Sequence, residues 1–132
     1  MKTFLSILLV ALSLLIACDN PSDPNIFRYD REQSFNLYQE YQSIDGAVKL
    51  TIDSLSDSRC PQGVECIWEG EVTVNMSVNI DQGYQLELHS VLHPKDTIQN
   101  YEFELTGADP YPVYQEEIRN EDYRVRLKVS PL

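Results

Sequence analysis

Val72-Thr73-Val74-Asn75-Met76-Ser77-Val78-Asn79-Ile80, then Asp81-Gln82-Gly83, then Tyr84-Gln85-Leu86-Glu87-Leu88-His89, is the stretch that decides the fold. Every second residue is apolar on both sides of the Asp-Gln-Gly interruption. A helix would scatter these side chains around its circumference, whereas a strand puts them on one face. A three-residue loop with glycine last predicts a hairpin with Ile80 opposite Tyr84, Val78 opposite Leu86 and Met76 opposite Leu88. Leu92 continues the apolar row beyond His89.

The same period extends outward in both directions. Phe35, Leu37 and Tyr41 share one parity, and Val48, Leu50 and Ile52 share the other. Asp45-Gly46 between them predicts a type I′ hairpin, which sets Ile44 opposite Ala47, Tyr41 opposite Leu50 and Leu37 opposite Ser54. Downstream, Tyr101, Phe103 and Leu105 alternate with Glu102 and Glu104. Gly107 to Pro112 contains two prolines and reads as a rigid connection outside any central strand. Val113 to Ile118 is a further candidate strand. Tyr123, Val125, Leu127 and Val129 alternate with Arg124, Arg126 and Lys128, three cations expected to face the glutamates of a neighbouring strand. Tyr123 is expected to anchor that corner through its hydroxyl. No helix is expected after residue 18. Strands with a single apolar face need a second sheet to cover them. The expected fold is therefore all-β, an antiparallel β-sandwich of immunoglobulin-like architecture, with a small β-barrel as the alternative.

The amino terminus is of another kind. Lys2 precedes an apolar run from Phe4 to Ile16, too short to span a bilayer comfortably and matched to the hydrophobic part of a secretory signal. Leu15-Ile16-Ala17-Cys18 follows, and it resembles the lipobox of bacterial lipoproteins. The resemblance implies diacylglycerol on the Cys18 thiol, cleavage before Cys18, and acylation of the new amino group. An ordinary signal peptide cut near Ala17 is the alternative. The place of the odd cysteine favours the lipoprotein. Several acyl chains hold a protein to a membrane durably, at about 0.8 kcal/mol per buried CH₂. The expected layout is a signal peptide over 1–17, a lipidated cysteine and flexible tether over 18–33, and the β-sandwich over 34–132. Asp19 leaves the choice of inner or outer membrane open.

If Cys18 carries lipid, Cys60 and Cys66 remain as a pair, and an exported protein keeps such a bond. Cys60-Pro61-Gln62-Gly63 suits a type I turn that bends the chain toward Cys66. Metal binding is the weaker reading, since C-x₅-C is not a common zinc spacing and no histidine lies near it. Trp68 is expected to pack in the core against the bridge, with a ligand platform as the alternative. Arg59 is expected to pair with Asp57 or Asp53 and brace the loop. The run Asp57-Ser58-Arg59-Cys60-Pro61, with Val64, Cys66, Trp68 and Gly70, resembles a motif of small bacterial exported proteins and lipoproteins of uncharacterised function. Pro110-Tyr111-Pro112 and Asp122 to Val129 extend the likeness. It implies a compact β-domain in the envelope and brings no catalytic residue with it.

Charge narrows the partners. With 10 Lys and Arg against 21 Asp and Glu, the formal net charge is −11, which argues against nucleic acid and against flat binding to anionic lipid. His89 and His93 are the only histidines, and on one continuous strand their Cα atoms would lie about 13 Å apart, too far to share a metal ion without a bend. No Gly-x-Ser-x-Gly occurs. No cofactor, metal or catalytic residue is expected. The leading expectation is a non-enzymatic, lipid-anchored envelope domain that binds or scaffolds an envelope protein or glycan through its loops. The alternatives are a carbohydrate-binding module using Trp68, Tyr111 and Tyr114, and a hydrolase or metal-dependent enzyme using carboxylates that meet across strands.

Overall fold

The structure, a computed structural model, describes residues 23–132. The Cys18 expectation lies outside the described residues. Among the described residues nine strands form: β1 Ile26–Phe27, β2 Glu32–Asn36, β3 Glu40–Ser43, β4 Lys49–Asp57, β5 Val72–Asn79, β6 Gly83–His89, β7 Lys95–Ile98, β8 Tyr101–Asp109 and β9 Arg124–Pro131. They make two sheets, ordered β1-β3-β4-β5-β6 and β2-β9-β8-β7. The two sheets pack face to face as a sandwich and do not close into a barrel. Apart from β1, every strand pairing is antiparallel. The layers are those of an immunoglobulin-like sandwich. The connections, however, run as two meanders, β3 to β6 and β7 to β9, rather than as Greek keys.

Between the sheets lie the alternating apolar residues. Val72, Val74, Met76 and Val78 are buried from one sheet, and Phe103, Leu105, Val125, Leu127 and Val129 from the other. Phe35 meets Phe27 and Tyr41 edge-on, with ring centroids 5.8 and 4.9 Å apart. Such edge-to-face pairs contribute about 0.5–1.5 kcal/mol beyond their buried area.

Several expectations need correction. The tether was expected to run to residue 33, yet Ile26–Phe27 already pairs in parallel with Gln42–Ser43, and Glu32 opens β2. Phe27 is buried in the core, which is what draws this segment onto the sheet. Ser34 to Tyr41 is not one strand. Tyr38 takes φ 63°, and the chain there passes from the four-stranded to the five-stranded sheet. Leu37 therefore bridges Ile52 instead of facing Ser54. The Asp45-Gly46 hairpin keeps its expected register, Tyr41 opposite Leu50, but its turn is not type I′. Only Gly46 has positive φ, and its N–H donates to the Ser43 carbonyl at 2.8 Å. Ser43 Oγ, the Ala47 N–H and the Tyr29 hydroxyl all donate to Asp45 Oδ1, which holds that carboxyl below its usual range and shapes the longer loop.

The deciding hairpin is slipped by two residues. Val78 faces Tyr84, Met76 faces Leu86 and Val74 faces Leu88. An even slip preserves the buried face, so the hydrophobic pattern does not distinguish the two registers. Gly83 is paired with Asn79 in ordinary extended backbone, and the loop is Ile80 to Gln82. Asp81 Oδ1 secures that loop by accepting from Gln99 Nε2, Tyr84 OH and the Gln82 N–H. Gly107 to Asp109 belongs to β8, past a bulge between Leu105 and Gly107. Val113 to Ile118 forms no strand, only a bridge from Val113 to Gln62. Lys95–Ile98, not expected, is the edge strand β7. The cation row of β9 does face acids: Lys128 lies in register between Glu32 and Glu104, and Arg126 Nη1 is 3.6 Å from Glu32.

Candidate binding face at the loop end

One end of the sandwich gathers the β4–β5 loop, the β6–β7 turn, the β8–β9 connection and the crossover at Tyr38. The first of these is built up from Asp57. As β4 ends, the Asp57 carboxylate takes the Arg59 guanidinium in a fork, Nε to Oδ1 at 2.8 Å and Nη2 to Oδ2 at 2.6 Å. Arg59 also donates to the carbonyls of Ala108 and Pro110, at 2.8 and 3.0 Å, and lies 4.7 Å over the Tyr111 ring. Tyr123 OH donates to Asp57 Oδ2 at 3.0 Å. Burial alone would raise the Asp57 carboxyl. The hydrogen bonds and charge of Arg59, with the Tyr123 hydroxyl, overcome that and hold it below the usual carboxylate range. Tyr123 is pushed up to about 12 by burial and by the adjacent carboxylate. Asp57, not Asp53, is thus the partner of Arg59, and Tyr123 anchors its corner as expected.

Beyond this knot the loop zips closed. Ser58 N–H donates to the Glu71 carbonyl at 2.9 Å, and Cys60 N–H donates to the Glu69 carbonyl at 2.7 Å. Gly70 has φ 70°, and a Cβ there would overlap the Ser58 carbonyl. Only glycine lets the two backbones approach so closely. Cys60 and Cys66 form the expected disulfide, with Cα atoms 5.9 Å apart. The loop is fastened to the β8–β9 connection as well. Tyr111 OH donates to the Cys60 carbonyl at 3.0 Å, Gln62 N–H to Pro112, and Tyr114 N–H to Gln62.

Trp68 does not pack in the core. It lies on the projecting side of the Cys60–Glu69 bond and is 53% exposed, while Ile67 beside it is fully exposed. The space between the sheets at this end is taken by Tyr123, which is 6% exposed. Tyr111 and Tyr114 are also exposed. Among the described residues, eleven large hydrophobic side chains are exposed, and eight lie here: Tyr38, Val64, Ile67, Trp68, Val91, Leu92, Tyr111 and Tyr114. Leu92 was expected in the inward row. The strand instead stops at His89, and the turn pairs His89 with His93 through reciprocal backbone bonds of 3.0 and 3.2 Å, so the two histidines are not on one continuous strand. Buried Glu71 holds this turn by accepting the N–H groups of Val91 and Leu92. Pro94 was the signal in the sequence for the bend.

Acid–base groups also meet here. His89 Nε2 lies 3.0 Å from Glu87 Oε1, and His89 Nδ1 lies 3.2 Å from both Glu71 Oε1 and Thr73 Oγ1. Glu87 and Glu71 raise the imidazole above its usual value. Thr73 Oγ1 and Glu71 thus share Nδ1, while Glu87 occupies Nε2, so carboxylates hold the imidazole from both ring nitrogens. Among the described residues no three His, Cys, Asp or Glu side chains converge as metal ligands. A shallow cleft on the outer face of the five-stranded sheet, lined by Glu40, Lys49, Ser77 and Tyr84 among others, holds one ion pair, Lys49 to Glu40 at 3.4 Å. No protein-family model, curated protein or solved structure matches the chain.

Proposed function

We propose that this chain is a lipid-anchored protein of the bacterial cell envelope, held to its membrane through Cys18, whose sandwich is a non-enzymatic docking domain. The observation that carries the docking half is the concentration of exposed large hydrophobics at one end, on loops that are stapled rather than slack. Contiguous exposed apolar surface is costly to keep in water and marks interaction sites. Rigid loops also lose little entropy on binding.

A glycan-binding reading draws on Trp68, Tyr111 and Tyr114. It leaves the aliphatic Ile67, Val91 and Leu92 without a role, so a protein partner is preferred.

The test is site-specific photocrosslinking in native membranes. A photoreactive amino acid at Trp68 should yield one defined protein adduct, and the same probe at Gln82, at the far end, should not. Equal adducts from both positions, or a hit on a glycan array that requires Trp68, would defeat the protein-docking reading. For the anchor, Cys18→Ser should abolish incorporation of labelled palmitate; undiminished labelling would refute it.

A further inference from the structure

Carboxylates outside any ion pair stand beside the apolar residues of the loop end. Glu65 and Glu69 flank Ile67 and Trp68, and Glu116 and Glu117 follow Tyr114; all four are exposed. Among the described residues none of the four takes part in an ion pair. Of the cations at this end, Arg124 is exposed and donates only to the carbonyls of Glu121 and Tyr123. Arg59 is turned inward on Asp57 and two carbonyls, with its side chain 13% exposed, and Arg119 pairs with Glu121 and Asp122. Acidic side chains thus outnumber the unpaired cations around this apolar centre.

We infer that the partner is a protein surface or segment in which an aromatic or aliphatic core is bordered by lysine and arginine. The inference rests on the docking reading above. Charge complementarity selects among occupants. A second copy of this chain would set carboxylates against carboxylates, and the net charge of −11 adds to that repulsion. An anionic lipid surface or a nucleic acid would be repelled by the same carboxylates. A basic rim would be steered in and would surround the Trp68 contact, which supplies the buried anchor typical of binding hot spots.

The experiment uses the lipidated protein in neutral detergent as bait for a phage-displayed library of random linear peptides. Selected peptides should combine aromatic or aliphatic residues with flanking Lys or Arg. Their binding should be lost in Trp68→Ala. It should fall about tenfold in the quadruple variant Glu65→Gln, Glu69→Gln, Glu116→Gln, Glu117→Gln, as for four exposed charge contacts, and weaken likewise in high salt. Peptides that need Trp68 but are neutral or acidic, with binding unchanged in the quadruple variant, would overturn the cationic partner and leave docking standing. Failure to select any peptide sensitive to Trp68→Ala would overturn both. All the substituted side chains are exposed, so the variants keep the fold, which a melting curve verifies.

Discussion

The Tyr123 hydroxyl reaches 3.0 Å to Oδ2 of Asp57, joining the first residue before β9 to the last residue of β4 and so tying one sheet to the other. The carboxylate at its centre is buried and already forked by Arg59. The bond closes the sandwich just beneath the loops that carry the exposed aromatics.

Tyr123→Phe keeps the ring and deletes the bond. It should cost about 1.5–3 kcal/mol, the range for hydrogen bonds to charged groups. Asp57→Ala should cost more, about 3–5 kcal/mol, because it leaves a partly buried guanidinium without its carboxylate. Urea unfolding of both variants tests the order. A smaller loss in Asp57→Ala than in Tyr123→Phe would contradict it.

Acid should expose the same knot. The folded Asp57 carboxyl lies below its unfolded value, so its stabilisation is present above that value, near pH 4, and is lost as pH falls through the lower folded value. His89 works in the opposite sense. Its folded value is raised, so its stabilisation is complete below about pH 6.5 and disappears as pH rises through the raised value. Melting curves of the wild type and His89→Asn should therefore lie further apart at pH 6 than at pH 9. A gap independent of pH would remove the histidine from this account.

The single tryptophan reports on its own position. Trp68→Ala should change stability by less than about 0.5 kcal/mol, as for an exposed site, against about 3–5 kcal/mol for a core indole. Native fluorescence should already be accessible to acrylamide. Strong protection from the quencher would place the indole in the interior.

Two glycines give a matched contrast. Gly70→Ala combines φ 70° with an overlap on the Ser58 carbonyl and should cost about 3 kcal/mol or more. Gly83→Ala sits in extended backbone with open space around it and should be neutral or slightly stabilising. Denaturant midpoints of the two variants decide the matter.

Reduction of the Cys60–Cys66 bridge should cost about 2 kcal/mol on the chain-entropy account of a small loop. The sandwich should survive, because the loop is also held by Ser58, Cys60 and Tyr111. Far-ultraviolet dichroism with and without reductant checks both halves.

Period-two alternation was enough to read the two-sheet body, because Val74, Met76, Leu127 and Val129 have no other way to share one interior. It was not enough for register. Slipping Val78 from Leu86 to Tyr84 leaves every buried side chain buried, and the choice is made by Asp81 reaching Gln99, a contact eighteen residues away. The break at Tyr38 was hidden because Phe35, Leu37 and Tyr41 keep one parity across two sheets. At the loop end, Arg59 with Asp57 and the hydroxyl of Tyr123 were legible from residue chemistry and spacing. Trp68 was misplaced for a general reason: tendencies to burial describe a residue type, whereas this indole lies beyond the last backbone bond that closes its loop.

That closing bond, Cys60 N–H to the Glu69 carbonyl, divides labour within the chain. Below it, substitutions are felt throughout the sandwich. Above it, the crown around Val64 and Glu65 is insulated, so its chemistry is able to drift, or be rewritten by grafting foreign peptides, without the scaffold having to refold around the change.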